Sequence, residues 1–137
     1  MTLGSEGIGG RGGDGSRGGA TAGERAFIEG LRRRLPGPPA GELWIGDDAA
    51  VLADGLLVAT DLLVEGVHFD LAWCSGEDVG WKALAVNCSD LAAMGGIPRA
   101  GVVALAVGPV PGMAEEVMEG MAQGAEAFGC PVVGGDT

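Results

Sequence analysis

The chain reads as an α+β domain, a mixed or antiparallel sheet with helices on one face. Three observations predict that class. Apolar residues recur at helical spacing in three separate segments. Short apolar runs of strand length lie between them, and one pair is joined by Asp54-Gly55, a tight-hairpin signal. The resulting order is helix, hairpin, strand, helix, strand, helix, strand, which suits helices laid against a sheet.

Residues 1–23 are glycine-rich and of low complexity. They cannot bury enough apolar surface to offset ordering, so a disordered tail is expected there, with the domain proper at 24–137. The run Gly9-Gly10-Arg11-Gly12-Gly13-Asp14-Gly15 lacks the closing Gly-Lys-Ser/Thr of a phosphate loop and follows no strand. Phe27, Ile28, Leu31 and Leu35 share one helical face, and Pro36-Gly37-Pro38-Pro39 ends that helix. Ala49–Ala53 and Leu56–Thr60 are the hairpin strands, and Glu65–Phe69 reads as a further short strand. Ser75-Gly76-Glu77-Asp78 is a capping-box pattern. The helix it opens runs through Trp81, Leu84, Ala85, Cys88 and Leu91 to Gly95-Gly96, with Pro98 as the stop. Ala100–Val107 is wholly apolar and reads as a central, buried strand. A last amphipathic helix runs from Ala114 to Phe128 and closes at Gly129, and Pro131–Val133 begins a final strand.

The 137 residues are enough for one domain with a core. The formal net charge of −11 is unevenly spread: residues 41–137 hold fifteen acids against Lys82 and Arg99 alone. Nucleic-acid binding needs a basic footprint, which this balance excludes. Cys74, Cys88 and Cys130 are odd in number and lack metal-type spacing, so reduced thiols in a cytoplasmic protein are expected. No apolar run approaches the ~20 residues of a membrane span, so no membrane partner is expected.

Four acidic islands stand out: Gly46-Asp47-Asp48-Ala49-Ala50, Thr60-Asp61, Ser89-Asp90-Leu91 and Gly134-Gly135-Asp136-Thr137. Each places a carboxylate at the edge of an apolar run, where an unpaired charge is unfavourable. Converging carboxylates with so few Lys or Arg partners call for a multivalent cation, and hard oxygen ligands suit Mg²⁺ or Mn²⁺. Each island has an ordinary reading beside that one. Asp47 and Asp48 also fit a turn, Asp61 a strand cap, Asp90 a helix end facing water, and Gly134-Gly135-Asp136 a turn. The hairpin would nevertheless bring Asp48 and Asp61 together, and glycines at 134–135 would let the backbone approach a phosphate. Nothing supplies a Ser/His/Asp or Cys/His arrangement, so no catalytic side chain is assigned. Trp81 and Lys82 read as packing or surface residues, and the lone His68 reads as structural on spacing alone.

Taken in order, Gly-Asp-Asp-Ala-Ala, Ala-Thr-Asp-Leu-Leu-Val-Glu-Gly-Val-His-Phe, Trp-Lys-Ala-Leu-Ala-Val-Asn-Cys-Ser-Asp-Leu-Ala-Ala-Met-Gly-Gly and Gly-Gly-Asp-Thr resemble the thiamine-monophosphate kinase family. That family belongs to the aminoimidazole ribonucleotide synthetase-like superfamily. The likeness covers Gly46 to Thr137 and not the tail. It implies ATP-dependent phosphorylation of thiamine monophosphate to thiamine diphosphate with several Mg²⁺ ions. By resemblance, Asp48, Thr60, Asp61, Asp90 and Asp136 would ligate Mg²⁺, Gly135 and Asp136 would lie against ATP, and His68 would contact thiamine monophosphate. Ala59 departs from the Ser or Thr many relatives carry there. The likeness also implies the superfamily's N-terminal-domain fold, a homodimer formed through that domain, and a second domain that this chain lacks. On that reading the chain is a truncated kinase, inactive alone. The alternatives are a sibling ATP-dependent synthetase and a non-catalytic metal-binding dimerisation module.

Overall fold

The computed structural model describes residues 22–137 apart from Val107 and Pro109. The expected tail, 1–21 of it, lies outside the described residues. Helix α1 spans Ala22–Arg34, with Glu24 in its first turn and Arg32, Arg33 and Arg34 in its last, as the helix dipole favours. Strands β1 (Ala50–Val51) and β2 (Leu57–Val58) pair antiparallel, Ala50 with Val58 and Val51 with Leu57. Asp54 (φ 62°) and Gly55 (φ 77°) supply the two positive dihedrals that a tight Asp-Gly turn needs. The regular pairing is shorter than the apolar runs suggested.

Residues Glu65–Phe69 are not the strand their alternation suggested. They fold back as a tight turn, with the Gly66 amide donating to the Phe69 carbonyl at 2.7 Å and the His68 amide to the Val64 carbonyl at 2.8 Å. Gly66 at φ 74° turns the chain there, a conformation that glycine adopts without steric cost.

Helix α2 spans Gly76–Ala93 and has the expected capping box. The Ser75 hydroxyl accepts from the Asp78 amide at 3.1 Å, and Asp78 Oδ2 accepts from the Ser75 amide at 2.9 Å. These bonds to Ser75 hold the Asp78 carboxyl below its usual range. At the other end the Gly95 amide reaches the Ala92 carbonyl at 2.9 Å and the Gly96 amide the Leu91 carbonyl at 2.7 Å, with Gly95 at φ 74°. This is the Schellman arrangement. Ser75→Ala is expected to lower stability by about 1 kcal/mol in urea unfolding, the usual effect of losing an N-cap hydroxyl.

Strand β3 (Gly101–Ala104), helix α3 (Met113–Phe128) and strand β4 (Val132–Asp136) form a parallel crossover unit. Among the described residues β3 pairs only with β4, so the strands make two two-stranded sheets, one antiparallel and one parallel. The expectation of a buried central β3 therefore fails on one side. Val103 and Leu105 pack towards a core of Val79, Val117 and Met121 on α2 and α3. Val102 and Val133, on the outer face, are 75% and 66% exposed. The helices thus cover one face of this sheet, as the fold class requires.

α2 and α3 meet through glycines. Gly76 and Gly80 on one helix and Gly120 and Gly124 on the other are all buried. A Cβ built on Gly80 would lie 1.9 Å from the Val117 carbonyl oxygen, and one on Gly120 would lie 1.9 Å from that of Glu77. Between the hairpin, the helix pair and the β3–β4 sheet lies an open, largely apolar groove of about 2310 Å³. No helix among the described residues is long and apolar enough to cross a membrane. All three cysteines are free.

Candidate functional site

Asp90 is the centre of the acidic constellation. It lies in the last turn of α2, where its carbonyl accepts from the Met94 amide at 3.2 Å. Burial, then Asp61, then Asp48 push its carboxyl above the usual range. Two islands from other parts of the chain thus lie near enough to Asp90 to disfavour its charge. The C-terminal end of a helix is itself unfavourable for an anion. A cation placed there would relieve all of these effects.

The hairpin carries Asp48 and Asp61 on its two neighbouring arms. In the Ala50–Val58 register, Asp48 and Thr60 are the positions two residues outward on the two strands. Thr60 and Asp61 follow β2 directly, and all three side chains are exposed. Asp47 has a local role, since its Oδ1 accepts from the Asp48 amide at 3.0 Å. Asn87, one turn before Asp90, is turned onto its own helix, donating to the Ala83 carbonyl at 2.9 Å.

Asp136 belongs to a separate part of the site. It ends β4 beside Ala104, and its carbonyl accepts from the Leu105 amide at 2.9 Å. Thr60, Asp61 and Asp136 line the same open groove, whereas Asp48, Asp90 and His68 do not. Gly135 has φ 155°, and a Cβ there would fall 1.8 Å from the Val103 carbonyl oxygen, so only glycine fits. His68 sits in the 64–69 turn, exposed, with its Nδ1 accepting from the Val64 amide at 3.0 Å.

Among the described residues no three His, Cys, Asp or Glu side chains sit together closely enough to hold one ion. The chemistry of the donors still fits Mg²⁺. That ion keeps several waters and commonly takes only one or two carboxylates, with substrate phosphate completing its shell.

The chain is similar to proteins of known name and to solved structures. A thiamine-monophosphate kinase of Bacillus subtilis (strain 168) is 47% identical over 103 residues, covering 70% of this chain and 31% of the relative. One from Mycobacterium tuberculosis (strain ATCC 25618 / H37Rv) is 40% identical over 119 residues, covering 83% and 36%. Among solved structures, AaThiL complexed with AMPPCP and TMP superposes with a TM-score of 0.72 at 34% identity, over 82% of this chain and 36% of that one. A thiamine monophosphate kinase from Aquifex aeolicus gives 0.67 at 31% identity, over 85% and 38%. The chain thus spans about a third of the length of the curated relatives it matches. Residues 46–137 match the AIR synthase related protein N-terminal domain, and the chain belongs to that family.

Proposed function

We propose that this chain is the N-terminal nucleotide- and metal-binding part of a thiamine-monophosphate kinase, acting in the cytoplasm as a homodimer. The observation that carries the reading is the hairpin register, which sets Asp48 opposite Thr60 and next to Asp61, with Asp61 and Asp136 lining one groove. Relatives that are thiamine-monophosphate kinases, and a neighbour complexed with AMPPCP and TMP, support it. The open apolar groove supports an assembly in which further protein covers that face. Three free thiols suit a reducing compartment.

Asp48, Thr60, Asp61, Asp90 and Asp136 would hold Mg²⁺, which when bound supplies positive charge to the phosphates. Gly135 lets the β4 backbone lie close to a nucleotide phosphate, and His68 contacts the acceptor. The γ-phosphoryl group passes in line from ATP to a phosphate oxygen of thiamine monophosphate. The new P–O bond forms as the bond to the β-phosphate oxygen breaks, and ADP leaves. Such transfer needs positioning and charge neutralisation more than covalent help, so no phosphoenzyme forms.

Calorimetric titration with AMPPCP, with and without Mg²⁺, tests the reading on this chain. Binding that requires the metal is expected, and equal affinity in both conditions would contradict it. We also propose that turnover needs the remaining two-thirds of the relatives' length. Steady thiamine diphosphate formation by the 137-residue chain would refute that.

A further inference from the structure

The 64–69 turn is tied down more firmly than its exposure suggests. The Val64 carbonyl accepts from the Val67 and His68 amides at 3.2 and 2.8 Å. The Phe69 side chain packs against the Val79–Val117–Met121 core. The Lys82 ammonium, projecting from α2, donates to the His68 carbonyl. Finally, the Val64 amide donates to His68 Nδ1 at 3.0 Å.

A backbone amide can only donate, so the ring nitrogen it meets is an acceptor. In the neutral ring the proton then sits on Nε2. His68 therefore offers Nε2–H as a donor on an exposed side chain, with Nδ1 held by the Val64 amide. Lys82 and Arg99 are the only Lys or Arg residues in 41–137, a stretch with fifteen acids.

We propose that Lys82 is a positioning residue: it clamps the 64–69 turn so that His68 offers Nε2–H to the phosphate of the acceptor. The acceptor part rests on the kinase reading, and the clamp does not. A merely solvated lysine would leave the ring and the turn unchanged when removed.

His68 is the only histidine, so a long-range ¹H–¹⁵N spectrum of this chain reports a single ring. Nδ1 should be unprotonated and Nε2 protonated, with the Val64 amide protected from exchange. In Lys82→Met the single tautomer should give way to averaging, and Val64 protection should fall about fivefold, the equivalent of one ordinary hydrogen bond. Lys82→Arg keeps a donor and should restore both. An Nδ1–H tautomer in the native chain, or an unchanged spectrum and unchanged protection in Lys82→Met, would overturn the clamp. Titration with thiamine monophosphate should move the Nε2 resonance, less so in Lys82→Met. No movement with the tautomer set would overturn the acceptor role alone. Failure of the kinase reading would show separately, as absence of Mg²⁺-dependent AMPPCP binding.

Discussion

Gly120→Ala is expected to lower stability by roughly 2–3 kcal/mol or more in urea unfolding, although alanine is the better helix former. Propensity alone favours the substitution by about 1 kcal/mol. Against that stands the backbone of α2. The new methyl would meet the Glu77 carbonyl oxygen at 1.9 Å, its carbon at 2.6 Å and its Cα at 2.7 Å, all below the 3.0 Å that real Cβ contacts respect. Backbone cannot swing aside as a flexible side chain can. The helices must separate, and separation opens the packing of Val79, Val117 and Met121, the buried cluster between them.

Gly80→Ala should behave alike, since its methyl would meet the Val117 carbonyl oxygen at 1.9 Å and the Met121 amide nitrogen at 2.8 Å. The two clashes lie at one crossing. Once the helices have moved apart for the first methyl, the second should cost less, so the double substitution should destabilise by less than the sum of the two. Gly30→Ala is the control. It lies in α1 with nothing within 4 Å of the added methyl, and should stabilise by up to about 1 kcal/mol. A Gly120→Ala variant as stable as the parent would mean that the helices do not approach this closely.

Those glycines show what was hidden in the sequence. Read as sequence, Gly76, Gly80, Gly120 and Gly124 are weak points in helices, although their four-residue spacing on two helices is itself a signal of close approach. Caps were legible because each is a local bargain between a side chain or a glycine and nearby amides. Ser75 with Asp78, Gly95-Gly96 and Gly129 all terminate helices where the pattern put them. The Asp54-Gly55 turn was legible for the same reason. The Glu65–Phe69 turn was not, because its alternation suits a strand and the dihedral of Gly66 decides otherwise. Nor was the exposure of Val102, since an apolar run does not say which of its two faces will be covered. The aspartates were legible as acids in apolar surroundings, but their grouping is tertiary. Asp61 and Asp48 come near enough to Asp90 to disfavour its charge, while Asp136 stands at the end of the other sheet.

Asp90→Asn should have opposite signs in two assays. Without metal, it should stabilise the chain at neutral pH. The folded state raises the Asp90 carboxyl through burial, Asp61 and Asp48, so it holds the proton to higher pH than the unfolded chain does. Over the window from the ordinary carboxylate range up to the raised value, the folded state therefore binds more protons. Stability must then fall as pH rises through that window. Asparagine removes the titration, so the variant should lose this part of the slope and unfold at a higher urea concentration at pH 7. With Mg²⁺ and AMPPCP the order should reverse. Losing outer-shell partners of a metal typically weakens binding 10- to 100-fold, so losing a direct ligand should weaken it by at least about 100-fold. The parent should gain about 2.7 kcal/mol at a ligand concentration roughly 100 times its Kd, and the variant almost nothing. A carboxylate kept only for structure would give neither the metal-free gain nor the reversal. One kept to meet a cation must give both, because the repulsion that disfavours the empty site is what the cation relieves.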